Sequence, residues 1–246
     1  MNNEEVRNCQ NDGPFRGEEC PKCGSRGRLL MKGGEIESVG RILAGMLRHF
    51  PENYGVRLND HGWLKIYTIV PVIRAQKKSM WWLTPFHIEA LVRTDPKERY
   101  QINESGEIRA TYGHTIPVNL DDLPHDGIPD LLYYQTTDEE LEFIRETGIS
   151  PSDKSWVHLS LKPRQAYISG LFHIDSPAIV PIDTVRLIES GRNIYRATSD
   201  VFLVDFIPPD FILEKISETF EPDEEERAEI SQVRQRQERR KNERDQ

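Results

Sequence analysis

Apolar residues in the first half of the chain recur three and four positions apart, the spacing of an amphipathic helix. This pattern predicts one helix over Ile36–Phe50 and a second over Leu64–Arg74. A third helix is predicted over Pro85–Arg93, because Thr84 can cap it and Asp95-Pro96 would stop it. The first half of the chain is therefore expected to be largely helical.

Two extended stretches follow the third predicted helix, over Arg99–Asn103 and Glu107–Tyr112, with Ser105-Gly106 as the turn between them. Three helices followed by a hairpin is the order of elements in a winged helix. We therefore predict a winged-helix lobe over residues 35–118.

Beyond a joint rich in Pro and Asp, Pro117–Pro129, the pattern changes to short β-prone runs around one good helix, Glu139–Thr147. The runs are Leu131–Tyr134, Trp156–Ser160, Ile179–Ile182 and Ile194–Ala197. They favour a mixed α/β lobe over residues 119–220 and an α+β class for the whole chain. Residues 221–246 hold nine acidic and seven basic side chains, which predicts a solvated tail, at most a frayed helix.

The composition narrows the setting in which the chain works. With 246 residues, 37% of them hydrophobic, it can bury one ordinary core or two small ones. No apolar run approaches the roughly 20 residues of a membrane helix, and the polar start lacks the apolar stretch of a signal peptide. We therefore expect a cytoplasmic protein with no membrane association, and nothing implies a stable protein partner.

The net charge of −9 conceals an asymmetry along the chain. Residues 1–115 hold 17 Lys and Arg against 14 Asp and Glu, a balance of +3. Residues 116–246 hold 15 against 27, a balance of −12. A polyanionic partner would therefore meet the first half of the chain.

The three cysteines cluster near the start of the chain, in a segment, residues 1–34, that is predicted to be a knuckle built of loops. Cys20 and Cys23 have the two-residue gap of half a zinc knuckle, and Cys9 and Asp12 have the same gap. The four side chains predict a closed structural zinc site with an unusual aspartate ligand. The alternative is a knuckle that has lost its metal.

Four polar blocks carry the candidate chemistry, and each has a structural explanation when taken singly. Arg48 and His49 can complement the end of a helix, and His158 and Trp63 can be core residues. Trp81-Trp82 is likewise predicted to be core and lobe interface. The blocks are Leu47-Arg48-His49, His61-Gly62-Trp63, Ile108 to His114 and Val157-His158-Leu159-Ser160.

Together and in this order, the blocks resemble the tRNA 2'-phosphotransferase family over about Ile36–Ile212. The resemblance rests on the stretches GRILAGMLRHFP, GVRLNDHGWL, IRATYGH, ISPSDKSWVHLS and VFLVDFIPPDFI. The cysteine segment resembles the N-terminal extension of archaeal members, in which a histidine stands where this chain has Asp12.

The resemblance implies a winged-helix lobe that binds RNA, joined to an ADP-ribosyltransferase-like lobe that binds NAD+ as co-substrate. In the family's chemistry the 2'-phosphate of splice-junction RNA attacks the nicotinamide ribose and nicotinamide leaves. The ribose 2''-hydroxyl then attacks the phosphorus of the ADP-ribosylated RNA. The products are RNA with a 2'-hydroxyl, nicotinamide and ADP-ribose 1'',2''-cyclic phosphate.

The resemblance also implies roles for particular residues. Arg48 and Arg109 would hold the phosphate, because a guanidinium fork can neutralise its developing charge. His49 would move a proton, for which imidazole has a suitable pKa. The remaining positions are substrate contacts at Thr111, His114 and His173, and NAD+ contacts at Tyr134, Thr136, His158 and Ser160.

The chain departs from the family pattern in two places. Where the family has Y-H-G-T, this chain has Tyr133-Tyr134-Gln135-Thr136. Where the family has a further arginine in G-x-R, this chain has Phe172 within Gly170-Leu171-Phe172-His173, which predicts a slow second step.

Two alternative functions stay open. The first is a DNA-binding regulator whose recognition helix would be Pro85–Arg93, although only His87 and Arg93 on it could read bases. The second is an ADP-ribosyltransferase that stops at the ADP-ribosylated phosphate, because Phe172 replaces a cation.

Overall fold

The computed structural model describes residues 5–244, and their side chains except at positions 240, 241, 243 and 244. The chain clusters into two compact units, each with its own hydrophobic core. The N-terminal unit extends to Asp122 and includes Asp153–Ser155, whereas the C-terminal unit comprises Leu123–Ser152 and the chain from Trp156 onward. The finer division into four segments stays a prediction, because two units do not define the ends of smaller parts.

The cysteine segment contains three short strands, so the expectation of a knuckle made entirely of loops is wrong in part. Cys20 and Cys23 do lie in a loop, between the second and third strands. Three antiparallel strands form a sheet in the order β2-β1-β3. Each strand has only four residues, which is too short for an alternating pattern to stand out in the sequence. The strands are β1 (Val6–Cys9), β2 (Gly13–Arg16) and β3 (Arg28–Met31).

The three predicted helices of the N-terminal unit are confirmed, with shifted ends for the first two. They are α1 (Gly33–Ala44), α2 (Ile66–Gln76) and α3 (Pro85–Arg93). The helix predicted to reach Phe50 widens after Ala44 into a π-helical turn, Gly45–His49, in which the Phe50 N–H donates to the carbonyl of Gly45. The second helix starts two residues late because Leu64–Lys65 pairs as strand β4 with the hairpin.

The hairpin that follows α3 consists of β5 (Tyr100–Ile102) and β6 (Glu107–Ala110), and the sheet order is β4-β6-β5. Tyr100 lies opposite Ala110 and Gln101 lies opposite Arg109. The first pair faces the core of the unit, because Tyr100 and Ala110 are at most 4% exposed. The second pair points to the other face of the hairpin.

The prediction that Trp81 and Trp82 are both core residues is wrong for Trp81. Its side chain is 75% exposed, at the end of a short 3-10 helix, Lys78–Met80. Trp82 packs against the core and lies with its ring edge 5.1 Å from the His87 ring. Two adjacent aromatic residues cannot both face the core through this turn, and the sequence does not show which one does.

The C-terminal unit is a five-stranded antiparallel sheet with helices, in the strand order β10-β11-β8-β7-β9. The predicted strands and the helix appear within two residues of their expected ends. The strands are β7 (Leu131–Thr136), β8 (Val157–Ser160), β9 (Ala178–Asp183), β10 (Tyr195–Arg196) and β11 (Val201–Val204). The helices are α4 (Asp138–Thr147), α5 (Pro163–Gly170) and α6 (Thr184–Glu189). The sequence pattern missed β11, α5 and α6, which are short.

The charged tail forms a long helix, α7 (Glu224–Arg244), that docks on the C-terminal unit. Arg164 forms a two-pronged ion pair with Glu226 at 2.8 and 2.7 Å, and Ile230 is 9% exposed. Arg234 donates to the carbonyls of Leu171 and Ile174. The prediction of a fully solvated tail is therefore wrong for its first three turns, because a few side chains bind it to the unit.

Within the described range, no helix combines the length and the apolar character that crossing a membrane requires.

Gly148, which ends α4, provides a test of the fold. Its φ of +82° and ψ of −177° suit glycine alone, and a Cβ there would lie 2.4 Å from the carbonyl oxygen of Ile207. We expect Gly148→Ala to lower stability by about 3 kcal/mol or more, measured by urea unfolding. Gly191 is the matched control, because its φ is +91° but a Cβ there would meet nothing within 4 Å. Gly191→Ala should cost only about 1–2 kcal/mol, and equal losses in the two variants would contradict the close contact.

Candidate active site

Arg48 lies in the π-helical turn after α1, with its guanidinium against two tyrosine rings. The guanidinium carbon is 5.0 Å from the ring centre of Tyr112 and 5.6 Å from that of Tyr100. Its Nη2 donates to the backbone carbonyl of Arg99 at 3.2 Å. Its Nε is buried and meets no hydrogen-bond acceptor in the part of the chain that the structure describes. Arg48 is thus a well-packed cation with one unsatisfied buried donor.

The Arg99 carbonyl that accepts the hydrogen bond from Arg48 is held in place by the ion pair between Asp95 and Arg99. Asp95 is 6% exposed and accepts from the Arg99 backbone N–H at 2.9 Å and from its guanidinium at 2.8 Å. Burial acts to lower the pKa of Arg99, but the hydrogen bonds and charge of Asp95 outweigh it and raise that pKa. For Tyr100 and Tyr112, burial raises the pKa of the phenol, because it disfavours the charged form. Both phenols are therefore neutral, and the charge beside them belongs to Arg48.

His49 follows Arg48 and lies beside a turn from the end of the hairpin. Its Nδ1 is 3.2 Å from Oγ1 of Thr115, and the Thr115 N–H donates to the carbonyl of Arg48 at 2.9 Å. Burial lowers the pKa of His49, and the positive charges of Arg48 and Lys154 lower it further, whereas Asp153 acts against them. A neutral imidazole at pH 7 follows, which can accept a proton.

The turn that carries His114 packs against Arg48. Gly113 has a φ of +80°, and a Cβ there would lie 3.2 Å from Nη1 of Arg48. His114 is 2% exposed and its carbonyl accepts from the Ser155 N–H at 2.8 Å. Thr111 is also 2% exposed, and its hydroxyl donates to the carbonyl of Glu98. His114 and Thr111 are thus buried near the Arg48 turn, where Thr111 has a structural bond of its own.

Arg109 has a separate set of partners. Its Nη1 donates to both carboxylate oxygens of Asp122 at 2.8 and 2.9 Å, and its Nε donates to Gln101 at 3.1 Å. The guanidinium carbon lies 4.4 Å from the ring centre of Trp63, and Arg109 is 4% exposed. A phosphate that engages Arg109 must therefore compete with Asp122 for Nη1.

The residues that contact Arg48 differ from those that contact Arg109 in the part of the chain that the structure describes. Arg48 packs on Tyr100, which faces the core side of the hairpin, whereas Arg109 lies beside Gln101 on the opposite face. Their joint role in holding one phosphate stays a prediction.

The four residues predicted to contact NAD+ lie on neighbouring strands of the C-terminal unit but on two faces. Tyr133 lies directly opposite Ser160, so Ser160 and His158 share a face with Tyr133. The alternation along β7 places Tyr134 and Thr136 on the other face, where Tyr134 packs against the core and Thr136 is 1% exposed. Nδ1 of His158 lies 2.9 Å from the carbonyl of Trp156. His158 and Ser160 therefore share one face of the sheet. An NAD+ site on that face stays a prediction.

His173, the last predicted substrate contact, lies after α5 in the C-terminal unit. Its Nδ1 is 3.1 Å from Nε2 of Gln237 on α7, and its side chain is exposed. Phe172 stands beside it, where the resemblance expects an arginine.

The cysteine cluster is assembled as the spacing predicts. The Sγ atoms of Cys9 and Cys23 are 3.4 Å apart, and Oδ2 of Asp12 lies 3.3 Å from Cys9 Sγ and 3.4 Å from Cys20 Sγ. All four ligand atoms lie within 4.8 Å of one another. Ligands of a tetrahedral zinc ion at about 2.3 Å are about 3.8 Å apart, so the donor set fits such an ion.

Sequence reasoning missed the side chains that hold the two arginines. Tyr112 was visible inside the IRATYGH stretch, but Tyr100 and Asp95 are spread along the preceding loop and strand. Asp122 was assigned to the joint between lobes, and nothing in the sequence pairs it with Arg109. Tertiary packing brings these partners to the arginines, and the spacing of residues along the sequence does not predict such contacts.

In class, this is a mixed α/β protein whose N-terminal unit presents a half-buried arginine and a neutral histidine side by side, an arrangement suited to an anionic substrate. The comparison with protein families identifies it further. Residues 35–206 match the profile described as RNA 2'-phosphotransferase, Tpt1 / KptA family. The chain belongs to this family.

Curated relatives agree with this assignment. A probable RNA 2'-phosphotransferase of Thermoplasma acidophilum is 51% identical over 231 residues, 94% of this chain and 96% of the relative. A protein with the same description from Thermoplasma volcanium is 46% identical over 233 residues, covering 94% and 97% of the two chains. The similarity extends to probable RNA 2'-phosphotransferase 1 of Archaeoglobus fulgidus, 35% identical over 213 residues, or 87% of this chain and 96% of that one.

Substitution of two adjacent charged residues near His49 should shift the pKa of His49 in opposite directions. Because Lys154 lowers the pKa of His49 and Asp153 raises it, Lys154→Gln should raise that pKa and Asp153→Asn should lower it. An NMR titration of the His49 ring measures both. Shifts of the same sign in the two variants would contradict the described placement of these charges.

Proposed function

We propose that the chain is an NAD+-dependent RNA 2'-phosphotransferase that converts an internal 2'-phosphate of RNA, such as a splice junction in tRNA, into a 2'-hydroxyl. Membership of the RNA 2'-phosphotransferase, Tpt1 / KptA family supports the reaction class. The observation that carries the assignment to a site is Arg48, whose buried Nε has no acceptor among the described residues while its neighbour His49 is neutral. A phosphate oxygen would satisfy that donor once substrate binding displaces the groups that cover it.

In this proposal Arg48 binds the 2'-phosphate and neutralises charge that develops on it. The tyrosine rings that flank Arg48 restrict the orientation of its guanidinium through cation–π contacts. His49 accepts the proton of the attacking ribose hydroxyl, and its lowered pKa keeps it ready to do so at neutral pH. Arg109 is the second phosphate contact, reached in competition with Asp122.

NAD+ supplies the ribose that takes over the phosphate, and the products are nicotinamide and ADP-ribose 1'',2''-cyclic phosphate. His158 and Ser160 are the proposed contacts for it, and Tyr133 joins them because it lies on the same face of the sheet. A hydroxyl and an imidazole at that face suit ribose hydroxyls. Tyr134 and Thr136 face the other side and fit this role less well. We further propose that the N-terminal unit is a winged-helix RNA lobe, the C-terminal unit an ADP-ribosyltransferase-like lobe, and the protein cytoplasmic.

The DNA-binding alternative has little support from α3. Nδ1 of His87 lies 2.7 Å from the Thr84 hydroxyl and accepts from the Thr84 N–H, so this ring caps its own helix. Only Arg93 on α3 then stays available to read bases. The alternative of an ADP-ribosyltransferase that stops early is kept as an outcome of the assay, because Phe172 replaces a cation.

The direct test is to incubate the protein with RNA that carries one internal 2'-phosphate, with and without NAD+, and to resolve the products. We expect NAD+-dependent formation of 2'-hydroxyl RNA and a loss of about 100-fold or more in rate for Arg48→Ala. Arg41→Ala is the control, because Arg41 is an exposed arginine at the end of the same helix. An accumulated ADP-ribosylated RNA would support the transferase that stops early. No NAD+-dependent change at all would overturn the proposed function.

We also propose that Cys9, Asp12, Cys20 and Cys23 bind one structural zinc ion. The fit of their donor atoms to a tetrahedral ion supports this. Metal analysis by mass spectrometry should find one zinc per chain, and Asp12→Ala should weaken binding measured against a chromophoric chelator. Asp12→His is the matched variant and should retain the metal, because histidine is an ordinary zinc ligand. A wild-type protein that takes up no zinc from excess zinc chloride would contradict the site.

A further inference from the structure

The N-terminal unit contains the longest acid-free stretch of a chain whose net charge is −9. No Asp or Glu occurs in the 28 residues from His61 to Ile88, whereas Lys65, Arg74, Lys77 and Lys78 all do. This stretch forms β4, α2, the short 3-10 helix and the start of α3. The positive charge of residues 61–88 is therefore not neutralised by acidic residues within this stretch.

Helix α2 turns an aromatic ring and a cation to solvent on one face. Tyr67, Pro71 and Arg74 are spaced four and three residues apart, so they line one side of the helix. All three are exposed, and the Tyr67 side chain is 66% exposed. The opposite side carries Ile69 and Ile73, which are fully buried.

The same pairing of cation and ring recurs where α2 ends. Lys78 begins the 3-10 helix and Trp81 caps it, and residues three apart in a 3-10 helix project in the same direction. Lys78 is exposed, and Trp81 is 75% exposed. Tyr67, Arg74, Lys78 and Trp81 are thus exposed side chains on α2 and on the short helix that follows it. We call these four side chains the Tyr67–Trp81 surface.

The two cations of this surface are available to a ligand. Within the described residues, neither Arg74 nor Lys78 takes part in an ion pair or a side-chain hydrogen bond. The other cations of the stretch are engaged: Lys65 pairs with Glu107 at 3.1 Å, and Lys77 donates to the hydroxyl of Ser38 at 3.1 Å. Exposed aromatic rings and unpaired cations on the same two elements are the combination with which proteins bind single-stranded nucleic acid.

We propose that the Tyr67–Trp81 surface binds single-stranded segments of the RNA substrate. Aromatic faces stack on unpaired bases without regard to sequence, and lysine and arginine contact the phosphates between them. A duplex hides its bases from stacking, so the surface favours single strands. The choice of RNA as the partner rests on the proposed function, whereas the chemistry of the surface does not.

The test measures binding of the full chain to a fluorescent single-stranded RNA of 20 nucleotides without a 2'-phosphate and without NAD+. Fluorescence anisotropy should show Kd raised about fivefold or more by Trp81→Ala, and raised less by Trp81→Phe, which keeps a ring for stacking. Arg74→Ala/Lys78→Ala should reduce the slope of log K against log salt by about 1.4, because two phosphate contacts are lost. These readouts do not depend on catalysis, so they stand even if the phosphotransferase assay fails.

Phe143 is the matched control, because it is 64% exposed on α4, a helix rich in acidic residues. Phe143→Ala should leave RNA affinity within twofold of the wild-type value. Equal affinity of wild type and Trp81→Ala would overturn the proposal. So would binding of duplex RNA as tight as that of single strands, or a loss of self-association in Trp81→Ala with unchanged RNA binding, which would make the surface a contact between copies of the chain.

Discussion

The packing of Arg48 between Tyr100 and Tyr112 is the interaction on which the candidate site depends. It joins the π-helical turn after α1 to the β5–β6 hairpin, which are distant in sequence. The turn also fixes His49, because the Arg48 carbonyl accepts from Thr115 and Thr115 lies against the His49 ring. The Nη2 of Arg48 donates to the Arg99 carbonyl, whereas its buried Nε has no acceptor among the described residues, and this unsatisfied donor is the physical basis for the proposed binding of an anion.

The two predicted phosphate arginines differ in what they already bind. Arg109 has a carboxylate partner in Asp122 and is satisfied without substrate, whereas Arg48 has none among the described residues. A substrate dianion gains most from the arginine whose charge is not yet neutralised, since no existing ion pair has to be broken. We therefore propose Arg48 as the main phosphate-binding residue and Arg109 as a supporting contact.

The sequence predicted the elements well where periodicity was long and capped. Helix α3 has its predicted ends because Thr84 and Pro85 define its start. The sequence failed where structure depends on partners far along the chain, as in the strands of the cysteine segment, the docked tail helix and the exposure of Trp81. At the candidate site, the family resemblance pointed to Arg48 and His49, and the spacing of the cysteines pointed to the metal cluster; the roles of these residues stay predictions. It could not identify Asp122 or Tyr100, because tertiary contacts alone bring them to the arginines.

We propose that the Nε–H of Arg48 donates to the 2'-phosphate when the substrate binds. Nitrogen-15 NMR can follow this side-chain signal during titration with RNA that carries an internal 2'-phosphate. We expect a saturable shift of the signal, absent with the same RNA lacking the 2'-phosphate. An Arg48 signal that stays unchanged while the phosphorylated RNA binds would contradict this proposal.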